Sequence, residues 1–518
     1  MSIWAPMARL AQVTLTVDAR RTGTDLAGSW NAEVSGGAKS TGALSGTLTD
    51  EAAIRAAQSF AAGADWPGYH GPHGGNRATD TKTPLLDDLA RIRPVWRAEQ
   101  PVLSGWGSGA DSRYAHRAAL GTVNGGTGTP VFANGRIYLF HYVPSGDPDP
   151  AKLAALLEQA GKSFPDILPA ERAGLTDFLR PFSDTIVTCL DAQTGGTLWR
   201  TTIPRLSGNF QTHKWRGINP TACIIGNTVI AADYGHNVVA LNAATGEVRW
   251  TLPGKQVVQG DSAPRGALPA GKLALLQGGG LRAVQPDTGD IVWKGAAGSY
   301  ALVWGKPGVE RVLALSGKAL TCLDAATGKQ LWTAEAELQA AHGSAALLEG
   351  DILVGHVIDK GAKDGRFQGW RLSDTEAKKL WEDEPLTIDE NLTVSLASGR
   401  AYLAGKDEIR CLDLATGKLL GKQTGFATGQ GPGSNQWLAV VGNRLLLAPE
   451  GQHGRQGFHW LDAGPSLKLL SHWTPPNNHT TAYAYFPLGF PVVDGRLFVR
   501  GMDGIYCYDL RQPGTNKR

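Results

Sequence analysis

An eleven-residue pattern recurs along the chain and restricts the possible folds more than any other feature of the sequence. Residues 322–332 read CLDAATGKQLW, and close copies occupy 189–199, 240–250 and 411–421. Aligned on the position of Asp324, the copies have equivalent residues at Asp191, Asn242, Gln285, Asp324, Ser373, Asp413, Asp462 and Asp509. From 191 to 509 the chain advances 318 residues in seven intervals, about 45 residues each. That period is typical of a four-stranded propeller blade, so eight anchors predict eight blades.

The segments inside one unit have the character of β-strands. In the first unit TPVFA, GRIYLFHY, TIVTCLDA and GTLWRTTI alternate apolar and polar residues and are rich in β-branched and aromatic side chains. The Asp at the anchor can accept backbone N–H groups in a turn, and the Gly of the TG pair tolerates positive φ. The Trp that follows then lies on the outer strand and is predicted to pack between blades. The sequence therefore predicts an all-β, eight-bladed β-propeller of four-stranded blades.

The two ends of the repeat region indicate how the ring closes. The last copy, GIYCYDLRQPGTNKR, lacks an outer strand, whereas RPVWRAEQ at 93–100 precedes the first complete blade. Because an unclosed ring exposes two sheet edges, we predict that this N-terminal strand completes blade 8. The predicted propeller spans 65–513 and carries a helical insertion in blade 1, roughly 144–183, where the apolar spacing is helical. Residues 1–64 are expected to form a β-rich and helical flanking segment.

Composition and charge exclude several classes of protein. A net charge of +3 over 518 residues, without a Lys/Arg-rich run, does not suit a nucleic-acid-binding protein. No apolar run has the length of a transmembrane helix. The N-terminal residues lack the pattern of a signal peptide, which keeps a cytoplasmic location as an alternative. The five cysteines are widely spaced and show no CxxC spacing, so we expect neither disulfides nor a metal cluster.

The LDAxTGxxLW copies resemble the pyrroloquinoline-quinone-like (PQQ-like) propeller repeat family over about residues 65–510. DWPGYHGPHGGNRATD at 65–80 is similar to the WPxxRGP opening of many bacterial members, and its His70 and His73 are expected to anchor an N-terminal strap. The resemblance implies a periplasmic or cell-envelope protein. The family includes quinoprotein dehydrogenases, which carry adjacent cysteines and hold Ca²⁺ with Glu, Asn and Asp. This chain has no Cys-Cys pair and no recognisable set of the three ligands, so no cofactor is expected; PQQ with Ca²⁺ is the alternative.

Loop lengths predict which face of the propeller carries function. The turns joining first to second and third to fourth strands are short and share one face, whereas the longer loops between second and third strands and between blades share the other. Ligand sites are usually built from long loops on a rigid scaffold. The candidate ligand-binding residues at this mouth of the channel are Arg113, His116, His213, Arg216, Asn219, Arg265, His342, Asn435, His479 and Tyr485.

These residue types are suited to more than one function. Arg binds carboxylates with two hydrogen bonds, aromatic rings pack against sugar rings, and His with Tyr can act as base and acid. We therefore expect an extracytoplasmic ligand-binding or interaction module without a bound quinone. Its expected partner is an oligosaccharide, another polar small molecule or a cell-envelope protein. The alternative is an enzyme on the same scaffold, either a polysaccharide lyase or hydrolase or a PQQ-dependent dehydrogenase. A scaffold for protein assembly, using grooves at the blade edges, also remains open.

Overall fold

In a computed structural model the chain divides into two compact units, Met1–Phe60 and Ala61–Arg518. The residues that the structure describes are 13–22, 25–34, 39–47, 60–61, 64–72, 74–78, 84–90, 92–98, 129–163, 176, 179–207, 221–232, 237–253, 266–277, 280–295, 300–338, 346–358, 364–387, 394–405, 408–425, 437–448, 458–473, 489–501 and 504–512.

The first unit contains a three-stranded antiparallel meander. Its strands are β1 (Val13–Thr22), β2 (Asp25–Val34) and β3 (Lys39–Thr47), in that order across the sheet. Trp30 lies opposite Gly42, and a Cβ atom at Gly42 would lie 2.5 Å from the indole Nε1. A larger residue at this position would therefore require the indole ring of Trp30 to move.

The second unit consists, in its described residues, of eight antiparallel sheets, seven of four strands and one of five, which we number as blades 1 to 8 in chain order. The strands of blades 1 to 4 are β5 (Val131–Ala133), β6 (Arg136–Ser145), β7 (Phe182–Asp191), β8 (Thr197–Ser207), β9 (Cys223–Ile225), β10 (Thr228–Ala232), β11 (Val238–Asn242), β12 (Val248–Leu252), β13 (Leu268–Ala270), β14 (Leu273–Leu276), β15 (Leu281–Val284), β16 (Ile291–Gly295), β17 (Tyr300–Trp304), β18 (Arg311–Leu315), β19 (Ala319–Asp324) and β20 (Gln330–Glu335).

Blades 5 to 8 follow the same plan, with one additional short strand in blade 5 and a strand from the N-terminal side in blade 8. Their strands are β21 (Ala346–Glu349), β22 (Ile352–Ile358), β23 (Asp364–Leu372), β24 (Ala377–Glu382), β25 (Leu386–Thr387), β26 (Val394–Ala397), β27 (Arg400–Ala404), β28 (Glu408–Asp413), β29 (Leu419–Thr424), β30 (Trp437–Val441), β31 (Arg444–Ala448), β32 (Phe458–Asp462), β33 (Leu469–Trp473), β34 (Val492–Val493), β35 (Arg496–Gly501), β36 (Gly504–Asp509) and β4 (Pro94–Arg97).

The recurring sequence motif folds as the hairpin between the third and outer strands. In blade 1 the carboxylate Oδ1 of Asp191 accepts hydrogen bonds from the backbone N–H groups of Gln193 (2.9 Å) and Thr194 (2.8 Å). Asp324 and Asp413 cap their turns in the same way, through Thr327 and Thr416. In all eight described blades the pairing of the third strand with the outer strand shifts register by a β-bulge, which strengthens the local twist.

In blades 1 to 5 the tryptophan of the motif connects the blade to the next one. The indole of Trp199 in blade 1 donates a hydrogen bond to the carbonyl of Ala243 in blade 2 (3.1 Å). The glycine of the next turn, Gly246, has φ of 75°, and a Cβ atom there would lie 2.5 Å from the ring of Trp199. Gly289, Gly328 and Gly417 lie against the preceding tryptophan in the same manner. The hydrophobic core correspondingly consists of clusters between neighbouring blades.

The strand on the N-terminal side supplies the fourth strand of blade 8. β4 pairs with β36, placing Trp96 opposite Cys507, and the indole of Trp96 donates to the carbonyl of Ala192 in blade 1 (3.0 Å). A Cβ atom at Gly195 would lie 2.5 Å from this ring. The contact between blades 8 and 1 therefore reproduces the contact made by the other tryptophans, although its strands come from opposite ends of the repeat region.

Blade 1 carries the helical insertion between β6 and β7. Helix α1 (Pro150–Ser163) follows Asp149, whose carboxylate accepts a hydrogen bond from the N–H group of Ala151 (2.9 Å) as an N-cap. The second predicted helix, in PAERAGLTDFLRPF, falls largely outside the described residues. Among the described helices none has the length and apolar character needed to span a membrane.

Candidate functional site

Residues 64–78, which we call the strap, run from the first strand of blade 1 to the first strand of blade 7. At its beginning Trp66 pairs with Phe132 of β5 through two backbone hydrogen bonds of 2.8 and 2.9 Å. The carbonyl of Pro67 then accepts a hydrogen bond from the N–H group of Ile224 in blade 2 (3.0 Å). The strap thus forms hydrogen bonds with the first strands of blades 1 and 2, on the edge of each strand that does not pair with the second strand.

Further along, the strap pairs with blades 5 and 6 through two glycines. The carbonyl of Gly74 accepts a hydrogen bond from the N–H group of Leu348, and that of Gly75 accepts one from Leu396 (2.9 Å). A Cβ atom at Gly75 would lie 3.1 Å from the carbonyl oxygen of Leu396 and 3.2 Å from that of Leu348. Only glycine allows the strap to approach both strands so closely.

Buried polar side chains fix the middle of the strap. The Nδ1 atom of His70 lies 3.2 Å from Oδ1 of Asn76, and its Nε2 atom lies 2.5 Å from the hydroxyl oxygen of Tyr300 in blade 4. The amide of Asn76 also donates to the carbonyl of Val394 in blade 6 (3.2 Å). His70 therefore anchors the strap as expected, whereas His73 lies outside the described residues.

The strap and the first strands of blades 3, 4 and 5 enclose a cleft of about 580 Å³, which we call the strap cleft. This volume lies within the range of small-molecule sites, about 300–1,000 Å³. Two partly exposed aromatic residues, Tyr69 from the strap and Trp304 from β17, contribute to its lining. The remaining lining residues are Pro67, Gly68, His70, Gly71, Pro72, Gly74, Arg77, Leu268, Pro269, Leu302, Val303, Gly305, Pro307, Leu348 and Gly350.

The charge in the strap cleft is balanced by an ion pair. Arg77 Nη1 lies 3.1 Å from Oε1 of Glu349, at the end of β21. The same carboxylate accepts hydrogen bonds from the backbone N–H groups of Ser398 (2.8 Å) and Gly399 (3.3 Å) in blade 6. Arg77 therefore joins the strap to a turn of blade 6 through Glu349, and a ligand in the cleft meets a neutralised pair.

The strap cleft lies on the face opposite to the one predicted from loop lengths. Gly305 and Pro307 belong to the turn between β17 and β18, and Gly350 belongs to the turn between β21 and β22. Both are first-to-second strand turns. The ten residues predicted at the other mouth remain predictions, because all of them lie outside the described residues: Arg113, His116, His213, Arg216, Asn219, Arg265, His342, Asn435, His479 and Tyr485.

The residues of the strap cleft were missed because their sequence signals indicate structure rather than binding. Tyr69 belongs to the WPGYHGP opening, which predicted only an anchoring segment. Trp304 ends the first strand of blade 4, where blades 2, 6 and 7 carry Ile225, Ala397 and Val441. A single aromatic residue, at a position that is aliphatic in six other blades and Glu349 in blade 5, was the available signal.

Comparison with family models agrees with the repeat pattern. A PQQ-like family model, described as outer membrane protein assembly factor BamB, matches residues 183–278 and 277–435. These residues contain whole blades 2 to 6 with their hairpin motifs. The chain is a PQQ-like β-propeller repeat protein. None of the curated proteins matches it in sequence.

Three solved structures similar to this PQQ-like propeller share 12–15% of its residues. BamB from Moraxella catarrhalis is 15% identical with a TM-score of 0.43, over 62% of this chain and 90% of its own. Quinohemoprotein alcohol dehydrogenase from Comamonas testosteroni is 12% identical with a TM-score of 0.48, over 90% of this chain and 84% of its own. The computationally designed Ika8 protein is 12% identical with a TM-score of 0.49, over 80% and 99%. Identities of this size do not indicate activity, ligand or partner.

The cysteines do not form a pair in the described residues. The five cysteines are all free and buried, and they lie on strands of five different blades: Cys189, Cys223, Cys322, Cys411 and Cys507. Burial raises the pKa of Cys322 to about 12 and that of Cys411 to about 11. In the part of the chain that the structure describes, no three side chains among His, Cys, Asp and Glu come close enough to share a metal ion.

Proposed function

We propose that this PQQ-like propeller is a binding module that holds a neutral oligosaccharide in the strap cleft. The carrying observation is the cleft's lining, in which the rings of Tyr69 and Trp304 accompany four prolines: Pro67, Pro72, Pro269 and Pro307. Aromatic rings offer apolar faces to the C–H groups of a sugar, and rigid prolines lose little conformational entropy when a ligand binds.

The charges around the cleft favour a neutral ligand over an acidic one. A carboxylate-bearing sugar would need a cation to pair with, and Arg77 is already paired with Glu349 at 3.1 Å. Breaking a partly buried ion pair to free one partner leaves the other charge unpaired, which costs free energy. We therefore expect neutral oligosaccharides to bind more tightly than uronic-acid-containing ones of the same length.

The hydrogen bonding of His70 favours binding over the hydrolase or lyase alternative at this cleft. Both ring nitrogens have partners, Asn76 on one side and Tyr300 on the other. A general base needs a nitrogen within reach of the proton that it abstracts. Because His70 is already engaged on both sides, its role in the strap cleft is to position the strap.

We also propose that the protein acts outside the cytoplasm, in the cell envelope. The support is the family model, whose description names an outer membrane protein assembly factor. A cell-envelope protein remains the alternative partner. The residues predicted at the mouth formed by the long loops would provide a second contact surface, either for such a partner or for a ligand.

The experiment that tests the proposed function is calorimetric titration of the whole chain with a panel of neutral oligosaccharides and their acidic counterparts. We expect at least one neutral member to bind, and the Trp304→Ala variant to bind it about tenfold more weakly, which corresponds to about 1.4 kcal/mol. Shorter sugars appearing during the titration would support the enzyme alternative.

A control variant outside the cleft tests whether the loss of binding is specific to the cleft. Leu331, 38% exposed on the outer strand of blade 4, lies outside the cleft lining, so Leu331→Ala should bind the sugar as the wild type does. Failure of every neutral oligosaccharide to bind, or equal affinity in Trp304→Ala and wild type, would refute the proposal.

A further inference from the structure

Two histidines face each other across the outer hairpin of blade 7. His459 on β32 is paired in register with His472 on β33, and their ring centroids are 4.8 Å apart with an interplanar angle of 50°. The next pair along the hairpin, Phe458 and Trp473, is stacked at 5.3 Å and 16° and is buried. The hairpin turn is held by Asp462, whose carboxylate accepts the N–H group of Gly464 (2.9 Å). The strand pairing, the stacked aromatic pair and the turn contact therefore hold the backbone that carries the two imidazole rings.

The separation of the rings suits two bonds to one metal ion. With metal–nitrogen bonds of about 2.05 Å and about 1.15 Å more from nitrogen to ring centre, each centre lies about 3.2 Å from the metal. Centres 4.8 Å apart then subtend about 97° at the metal, between the octahedral value of about 90° and the tetrahedral value of about 109°. We propose that His459 and His472 together bind a divalent transition-metal ion such as Zn²⁺.

The two rings differ in exposure: His459 is half-buried, whereas His472 is exposed. His459 lies on the face of β32 that also carries Leu461, which packs against Ile409 of blade 6. Gln423, opposite Ile409 in blade 6, is uncharged and donates a hydrogen bond to the carbonyl of Ser466 (3.0 Å).

The ligand set defines the class of metal. Imidazole nitrogens suit Zn²⁺, Cu²⁺ and Ni²⁺, whereas Mg²⁺ and Ca²⁺ prefer oxygen. No third His, Cys, Asp or Glu among the described residues joins the pair. His472 is exposed on the outer strand of the blade, so a ligand atom from a partner molecule could add to the bound ion.

Zinc titration of the full-length, EDTA-treated chain tests the proposal by calorimetry. We expect His472→Gln and His459→Gln each to weaken Zn²⁺ binding at least tenfold. His472 is exposed, so its substitution leaves the fold intact, as circular dichroism would verify. Lys468→Gln, an exposed change in the same hairpin, should keep wild-type affinity, and Mg²⁺ should not compete. Equal affinity of both histidine variants and the wild type would overturn the proposal.

A spectroscopic measurement distinguishes this pair from the other histidines of the chain. With one equivalent of Cu²⁺, the wild type should show an electron paramagnetic resonance spectrum with coupling to two imidazole nitrogens. The spectrum of His472→Gln should lose one of the two. A spectrum that is identical in wild type and variant would place the copper elsewhere and contradict the assignment.

Discussion

At the scale of single residues, burial shifts the pKa values of two neighbouring ionisable side chains, His141 and Arg500. His141 of β6 is 5% exposed and lies near Arg500 of β35, which is fully buried. Burial, then the charges of Arg500 and Arg200, lowers the pKa of His141 to about 3, whereas burial alone lowers the pKa of Arg500 to about 9. At neutral pH the histidine is therefore uncharged and the arginine charged.

His141 makes the stability of the protein dependent on pH. Its pKa is about 3 in the folded state and about 6.5 in the unfolded state, so the unfolded chain binds the extra proton between these values. The free energy of unfolding should therefore fall as the pH is lowered from about 6.5 toward 3, by up to about 1.4 kcal/mol per pH unit from this group. In His141→Leu this contribution is absent, so urea unfolding measured between about pH 6 and pH 4 should show a shallower slope. Parallel slopes in variant and wild type would contradict the assignment.

At the scale of elements, the third-to-outer hairpin explains why one short motif recurs. Its anchor side chain caps the turn, its glycine makes room for the tryptophan of the preceding blade, and its own tryptophan reaches the following blade. Blades 6 and 7 depart from this plan, because Gly421 and Ser471 occupy the tryptophan position. In blade 7 the chain segment 84–90 takes over, with the N–H group of Leu89 donating to the hydroxyl of Ser471 (2.9 Å).

Gly246 tests the interlock between blades 1 and 2. Gly246→Ala requires a side chain at φ of 75° and places its Cβ atom 2.5 Å from the ring of Trp199, so we expect a loss of roughly 2–4 kcal/mol in the free energy of unfolding. Gly226→Ala is the matched control, since Gly226 also has positive φ (57°) but its Cβ atom would meet nothing within 4 Å. That variant should lose only about 1 kcal/mol. Equal losses in chemical denaturation would refute the steric part of the argument.

At the scale of the whole molecule, the segment from the strap to β4 connects blades that are distant in sequence. Residues 64–78 cross the first strands, 84–90 fill the space between blades 7 and 8, and β4 completes blade 8. Trp460 in blade 7, for example, donates to the carbonyl of Leu86 (2.8 Å). The N-terminal part of the second unit thus stabilises the arrangement of blades and at the same time forms one wall of the strap cleft.

Two truncations test the role of this segment. Removing residues 1–60, a compact unit of its own, should leave the thermal unfolding midpoint of the propeller nearly unchanged. Removing residues 1–98 also removes β4 and exposes the edge of β36, so this chain should aggregate or fail to fold. A soluble, cooperatively folded chain beginning at residue 99 would show that β4 is dispensable, which our account of blade 8 does not allow.

The sequence predicted the repeated parts well because each blade obeys local rules. The Asp–Gly turn, the alternation of the strands and the outer-strand tryptophan depend on residues close together in the chain, and the repeat displays them several times. The cap at Asp324, the positive φ of Gly328 and the bond from Trp293 to the carbonyl of Ala325 all follow from the pattern. The sequence also predicted the pairing of β4, which carries Trp96, with β36. A strand without a blade on the N-terminal side complements a last copy that lacks its outer strand.

The tertiary structure alone decided where the candidate sites lie. Tyr69 and Trp304 line one cleft although they are 235 positions apart in numbering, and His459 meets His472 only because a hairpin register opposes them. Such contacts depend on how the strap crosses the blades and on which residues a register brings together. The spacing of residues within one repeat unit reveals neither the path of the strap nor the residues that a register brings together. By itself the sequence therefore determined the blades and their joints, whereas the three-dimensional packing determined the surfaces that we propose as binding sites.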